Sequence, residues 1–276
     1  WQGDQKPQIP YEDAVMYSLH VRGFTKQRNS AVRHKGTFLG IAEKAEYLKE
    51  LGINQIKLMP AYEFFEMESL EHHAKQYRRE EEKEPKRLNY WGYTKACHFA
   101  PKRAYAATRN PVTEFKDMVK MMHRLGIEVL MEFYFPQDCD PRYIVACLEY
   151  WTEEYHIDGF RFDLMGIHDI ETMNEIRKAA TAVDPTIFIY GEGWAASAPQ
   201  LAQDSLAMKA NTYKMPGIAA FSDEMRDALR GPFNDNRQGA FLAGLPGGEE
   251  SIKFGIVGAV RHPQVDNGKV NYSKAP

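Results

Sequence analysis

Short apolar runs alternate along this chain with longer stretches whose apolar residues recur about every 3.6 positions. Apolar runs of about four to eight residues bounded by Gly or Pro predict buried strands, and the longer periodic stretches predict amphipathic helices. The predicted strands are Val15–Val21, Asn54–Met59, Glu128–Phe135, Gly159–Asp163, Thr186–Gly191 and Gly217–Phe221. The predicted helices cover Ile41–Leu51, Val112–Leu125, Arg142–Tyr155, Ile170–Ala180, Asp223–Leu229 and Glu249–Val260. Pro60 and Pro136 stop the second and third strands, Gly52 and Gly126 close the first two helices, and Ser222 is placed to cap another. Such strand–helix alternation builds a parallel sheet covered by helices, an α/β fold. Six βα units can be counted in the 276 residues, a length at which an α/β barrel forms one domain. Residues 61–93 form a long loop after the second strand.

Chemistry concentrates where two strands end. Asp163 closes the fourth strand and Glu192 the fifth, and in a parallel barrel the strand C-termini face one cleft. Arg161 lies two residues before Asp163, on the same side of the strand, and is expected to hold that carboxylate ionised. Glu192 stands between glycines near Trp194, where partial desolvation is expected to raise its proton affinity. Taken alone, Asp163 reads equally well as a helix cap or an ion-pair partner, and Glu192 as a loop carboxylate. Together at consecutive strand ends they suit a nucleophile and an acid/base. Tyr90, Trp91 and Tyr93 add aromatic faces able to stack on a hexose, although packing explains such residues as well.

Composition excludes more than it proposes. A formal net charge of −3 offers no footprint for nucleic acid or an anionic membrane. No apolar run approaches the roughly 18 residues of a spanning helix. Cys97, Cys139 and Cys147 are odd in number and lack CxxC spacing, so neither a disulfide framework nor a zinc site is indicated. The adjacent His72 and His73 do not share a helix face as paired metal ligands do, and the charge run Arg78–Glu84 reads as a solvated face. There is no GxGxxG or GxxxxGK[ST] segment, so no nucleotide or other cofactor is expected. The chain opens on Trp1 without a secretory leader, which reads as a processing boundary and leaves the compartment open between cytoplasm and exterior.

Four segments, YSLHVRGFT (Tyr17–Thr25), NYWGY (Asn89–Tyr93), YHIDGFRFDLMG (Tyr155–Gly166) and GEGW (Gly191–Trp194), resemble the α-amylase superfamily of glycoside hydrolases. Within it the chain is most similar to type I pullulanases and related debranching enzymes. The resemblance implies a (β/α)8 TIM barrel that hydrolyses α-glucans with retention, at the α-1,6 bonds of pullulan, glycogen or starch dextrins. It implies Asp163 as nucleophile, Glu192 as general acid/base, Arg161 as the partner of Asp163, and Tyr93 stacked under the reacting sugar. Trp91, Tyr90, Trp194 and Gln137 are the further candidate substrate contacts.

Three departures qualify this picture. The family's Asp-x-x-x-Asn-His stretch is here Glu132-Phe133-Tyr134-Phe135-Pro136-Gln137, and Pro136 offers no side-chain ligand, so no calcium is expected there. The next loop, Asp138–Pro141, is very short where relatives insert a small domain. No His-Asp pair follows Glu192, and strands seven and eight are missing from the pattern, so the expectation is a barrel truncated before them within 1–276, weak or inactive alone. Its open edges call for cover by the remainder of the chain or by an oligomer. Two alternatives are a catalytically silent α-glucan-binding protein on a degenerate barrel and an α-1,4-acting amylase.

Overall fold

The computed structural model describes residues 1–66, 88–195 and 200–270. Its strands are β1 (Met16–Leu19), β2 (Gln55–Leu58), β3 (Tyr62–Phe64), β4 (Ala96–Pro101), β5 (Glu128–Phe133), β6 (Gly159–Phe162), β7 (Phe188–Gly191) and β8 (Ile218–Ala220). The helices are α1 (Val21–Thr25), α2 (Phe38–Ala42), α3 (Ala45–Glu50), α4 (Pro111–Arg124), α5 (Pro141–Tyr155), α6 (Ile170–Val183), α7 (Asp223–Arg230) and α8 (Glu249–Ile256). Six strands form one parallel sheet in the order β1-β2-β5-β6-β7-β8, while β3 and β4 pair antiparallel. A closed barrel of this type has eight strands, so the described residues form an incomplete one with β1 and β8 at its edges.

The alternation of side chains puts the two sheet faces to different uses. Ile56, Val129, Met131, Phe133, Phe160, Phe162 and Ile189 share one face and are fully buried. This face packs on the helices: Phe133 meets Trp151 of α5 edge-on at 6.0 Å, and Trp151 meets Phe115 of α4 at 5.2 Å. Burial of such side chains stabilises the fold by about 1.5–3 kcal/mol each. The opposite face is polar for a barrel interior, with Gln55, Lys57, Glu128, Glu132 and Arg161 all buried along it. Gln55 donates to Glu128 at 2.7 Å at one end of this face, and Lys57, Glu132 and Arg161 cluster at the other.

Several predicted boundaries move, each for a visible reason. The first strand ends at Leu19, short of Val21, because His20 Nδ1 accepts from the Arg22 and Gly23 N–H groups at 3.1 Å and starts α1. The predicted helix over Ile41–Leu51 is two helices, since Glu43 turns back to accept from the N–H groups of Arg33 and His34. The third strand stops at Phe133 because Tyr134 is claimed elsewhere: its N–H donates to the Tyr62 hydroxyl and its carbonyl accepts from His98. Residues 61–93 are not all loop, as β3 lies within them and pairs with β4. Gly258, at φ +69°, ends the last helix before Val260. Ser222 does cap α7, accepting from the Met225 N–H at 3.2 Å. His72, His73 and the charge run Arg78–Glu84 lie outside the described residues.

At the far end of the sheet from the strand C-termini, the polar lead-in is clamped by buried charge. His123 is fully enclosed: Nδ1 lies 3.0 Å from Asp4 Oδ1, and Nε2 lies 2.8 Å from Asp158 Oδ2. His156 Nδ1 reaches the other Asp4 oxygen at 2.6 Å, and Lys6 spans Asp184 and Asp158. With a carboxylate at each ring nitrogen, His123 is held as the imidazolium. Burial pushes its proton affinity down, but Asp158 and Asp4 outweigh it, and the net direction is up. Asp4 moves down, because His156 and His123 together overcome its own burial.

The clamp is therefore complete between the ordinary carboxylate and imidazole ranges. It is lost as pH rises through the folded His123 value, or falls through that of Asp4. Urea unfolding at pH 5.5 and 8.5 is expected to show the wild type losing stability relative to His123→Gln at the higher pH. An unchanged difference between the two proteins would refute the charged clamp.

Candidate active site

The site is assembled at the C-terminal ends of β5, β6 and β7. Glu132 on β5 is the register partner of Arg161 on β6, and Asp163 and Glu192 follow directly after β6 and β7. One guanidinium joins all three carboxylates. Arg161 Nη1 donates to Glu132 Oε1 at 2.7 Å and to Asp163 Oδ1 at 2.8 Å, and Nη2 donates to Glu192 Oε1 at 2.6 Å. Asp163 and Glu192 thus lie within the span of a single planar side chain. The second Glu192 oxygen accepts from the Leu164 N–H at 3.0 Å, which fixes the carboxylate's orientation.

Burial is the largest influence on Asp163, and it pushes the carboxyl above the usual carboxylate range. Arg161 opposes this through its hydrogen bond and charge, while the charges of Glu192 and Glu132 reinforce it. With its side chain 19% exposed among like charges, the carboxylate feels desolvation first, and Arg161 is the cation that favours its ionised form. The oxygens of Glu192 touch Arg161 and Leu164 rather than Trp194, whose ring instead lies 6.5 Å from Phe221. Phe221 in turn carries Arg161 over its face at 5.6 Å.

The aromatic segment approaches from β3 and β4. Asn89 Oδ1 accepts from the Gly92 N–H at 3.1 Å, and Gly92 adopts φ +85° where a Cβ would sit 2.6 Å from the Phe64 ring. Only glycine fits that approach. The turn delivers the Tyr93 hydroxyl to Glu132 Oε1 at 2.5 Å. Burial, then the Glu132 charge, pushes that hydroxyl's proton affinity up, so Tyr93 stays a donor. Tyr90 is stacked on His20 at 4.1 Å with one face covered, and Trp91 is exposed.

Gln137 stands apart. It lines a cavity of about 300 Å³ with Asp138, Asp140, His168 and Asp169, which includes none of Arg161, Asp163 and Glu192. His168, in that lining, is pushed down to about 4 by burial and so stays neutral. Asp169 caps α6 by accepting from the Thr172 N–H at 2.7 Å. Among the described residues no group of three or more His, Cys, Asp or Glu side chains is arranged to hold a metal.

Sequence reasoning kept Glu132 as a carboxylate but did not place it in the site, and it missed Lys57 and Phe221 altogether. Lys57, on β2, forms an ion pair with the second Glu132 oxygen, Oε2. A lysine in a strand reads as a solvent-facing residue, and only the parity it shares with Gln55 on a buried strand hints otherwise.

No family model matches the chain. Among curated proteins, the pullulanase of Bacillus subtilis (strain 168) is 29% identical across 94% of this chain and 42% of its own length. Isoamylase 1, chloroplastic, of Oryza sativa subsp. japonica is 34% identical across 60% of this chain and 26% of its own length. The crystal structure of pullulanase from Paenibacillus barengoltzii in complex with maltohexaose and α-cyclodextrin superposes with a TM-score of 0.77. It is 29% identical and is matched over 93% of this chain and 47% of that one. The chain resembles a debranching glycoside hydrolase of the α-amylase family. It spans less than half the length of these relatives.

Glycine also shapes the loop that carries Glu192. A Cβ on Gly193 would lie 2.6 Å from the Lys209 backbone nitrogen, whose N–H donates to the Gly193 carbonyl at 2.9 Å. Backbone cannot yield as a side chain can, so Gly193→Ala is expected to displace the loop and cost about 1–3 kcal/mol. A thermal melt that matches the wild type would show the loop to be more pliant than this packing allows.

Proposed function

We propose that this chain carries the nucleophile and acid/base of a retaining α-glucan hydrolase acting on α-1,6 bonds. One observation supports the reading above the others: Arg161 binds both Asp163 and Glu192, so the two carboxylates converge at adjacent strand ends. A retaining glycosidase needs such a pair about 5–5.5 Å apart, one to attack the anomeric carbon and one to protonate the leaving oxygen. Asp163 attacks and forms a covalent glycosyl ester, Glu192 delivers the proton, and water then releases the sugar with Glu192 as base. Each Glu192 oxygen accepts one hydrogen bond from the protein and keeps a second lone pair on which a proton can be carried to the leaving oxygen. The Tyr93 hydroxyl, held by Glu132, and the exposed Trp91 ring support a role for both as aromatic contacts to sugar units.

Glu192 held by protein donors at both oxygens also suits a second reading, α-glucan binding without turnover. Incubation with pullulan, amylose and glycogen, followed by chromatography of the products, separates the two. Cleavage confined to branch linkages is the expected result. Retention of α-glucan in affinity electrophoresis with no product from any of the three supports binding alone.

A further inference from the structure

The Arg161 cluster sets three carboxylates, Glu132, Asp163 and Glu192, against one guanidinium. A second cation stands behind it. Lys57 on β2 shares a sheet face with Glu132: its register partner on β5 is Leu130, which places Glu132 diagonally two residues further along. The Lys57 ammonium meets Glu132 Oε2, while Tyr93 and Arg161 share Oε1. The Glu132 side chain is 1% exposed and that of Lys57 is 11% exposed, so water screens neither charge well. If Lys57 were neutral, the buried Glu132 carboxylate would have Arg161 as its one cationic partner, in competition with Asp163 and Glu192.

We infer that Lys57 is a positioning residue for Asp163: by neutralising Glu132 it leaves Arg161 to span Asp163 and Glu192. The inference rests on the hydrolase reading only for the meaning of Asp163 as nucleophile. Asp163 is faced by Arg161 on its own strand, Glu132 and Tyr134 from β5 and its end, Glu192 after β7, Tyr62 on β3, and Tyr93 before β4. Lys57 acts on it by offsetting the Glu132 charge, and it touches no reacting atom. Its loss returns the full Glu132 charge to this ring of groups, which disfavours ionised Asp163.

The test is titration of the Asp163 carboxyl in the 276-residue chain, followed by its ¹³C resonance and assigned with Asp163→Asn. Lys57→Met is expected to raise the midpoint by about one pH unit, a tenfold gain in proton affinity. Glu132→Gln, which keeps Lys57 and removes the negative charge, is expected to lower it. The double variant Lys57→Met/Glu132→Gln is expected to return it to within a few tenths of the wild type. A merely structural lysine would not give opposite signs in the two single variants and recovery in the pair. An Asp163 midpoint unmoved in folded Lys57→Met, or still raised in the double variant, overturns the assignment. Should Lys57→Met fail to fold, the downward shift in Glu132→Gln and the near-native double variant decide it, and their absence counts against it. Because the readout needs no turnover, these shifts in a chain that cleaves no α-glucan would uphold Lys57's role and reject the hydrolase reading instead.

Discussion

Replacing Asp163 by Asn is expected to lower α-glucan turnover by three to four orders of magnitude or more, in any preparation of the protein that shows turnover. The amide keeps the shape of the side chain and can still face Arg161, but it cannot attack an anomeric carbon. Loss of a covalent nucleophile commonly costs about 10⁴–10⁶ in turnover number, with a residue of activity left by the remaining groups. Binding should survive, because the aromatic stacking proposed for Trp91 and Tyr93 does not depend on that oxygen. The measurement pairs initial rates on pullulan with affinity electrophoresis. An Asp163→Asn protein that retains a tenth of the parent rate would place the nucleophile elsewhere.

The second large effect concerns Arg161. Its side chain is 9% exposed and holds three carboxylates whose side chains are 1–19% exposed. Arg161→Met leaves those carboxylates converging on an apolar side chain. Removing one partner of a buried charge network costs about 3–5 kcal/mol, because the remaining charges lose their compensation without regaining water. The sign of the pH response follows. Carboxylates crowded together in the folded state bind protons more tightly than in the unfolded chain, so acidification should restore part of the loss. Urea unfolding at pH 7 and pH 5 is the measurement. A deficit that stays constant between the two would show that Arg161 matters through packing over Phe221 instead.

How much of this was legible in the sequence depended on how local the cause was. β6 and β7 could be read directly, since each is a buried run bounded by glycine or a turn, and their ends fix where Asp163 and Glu192 emerge. The caps of α4 and α7, at Asn110 and Ser222, are equally local. The antiparallel pair β3–β4 was hidden because its strands are short and lie more than 30 positions apart. The break between α2 and α3 was hidden for a similar reason: neither Gly nor Pro marks it, and Glu43 causes it by reaching back to Arg33 and His34. The environment of Asp163 required knowing that Glu132, from β5, shares its guanidinium. Motif spacing names the candidate residues, but the neighbours that surround them come from strands distant in sequence.

The hairpin-like pair β3–β4 closes where the Asn89 N–H donates to the Glu66 carbonyl at 2.7 Å. This bond joins the chain just after β3 to the start of the segment that carries Tyr93. Both partners are backbone groups, so among side-chain exchanges at Glu66 and Asn89 only proline at 89 removes the bond. The approach of the aromatic ring is thus written into main chain, where ordinary substitution leaves it alone.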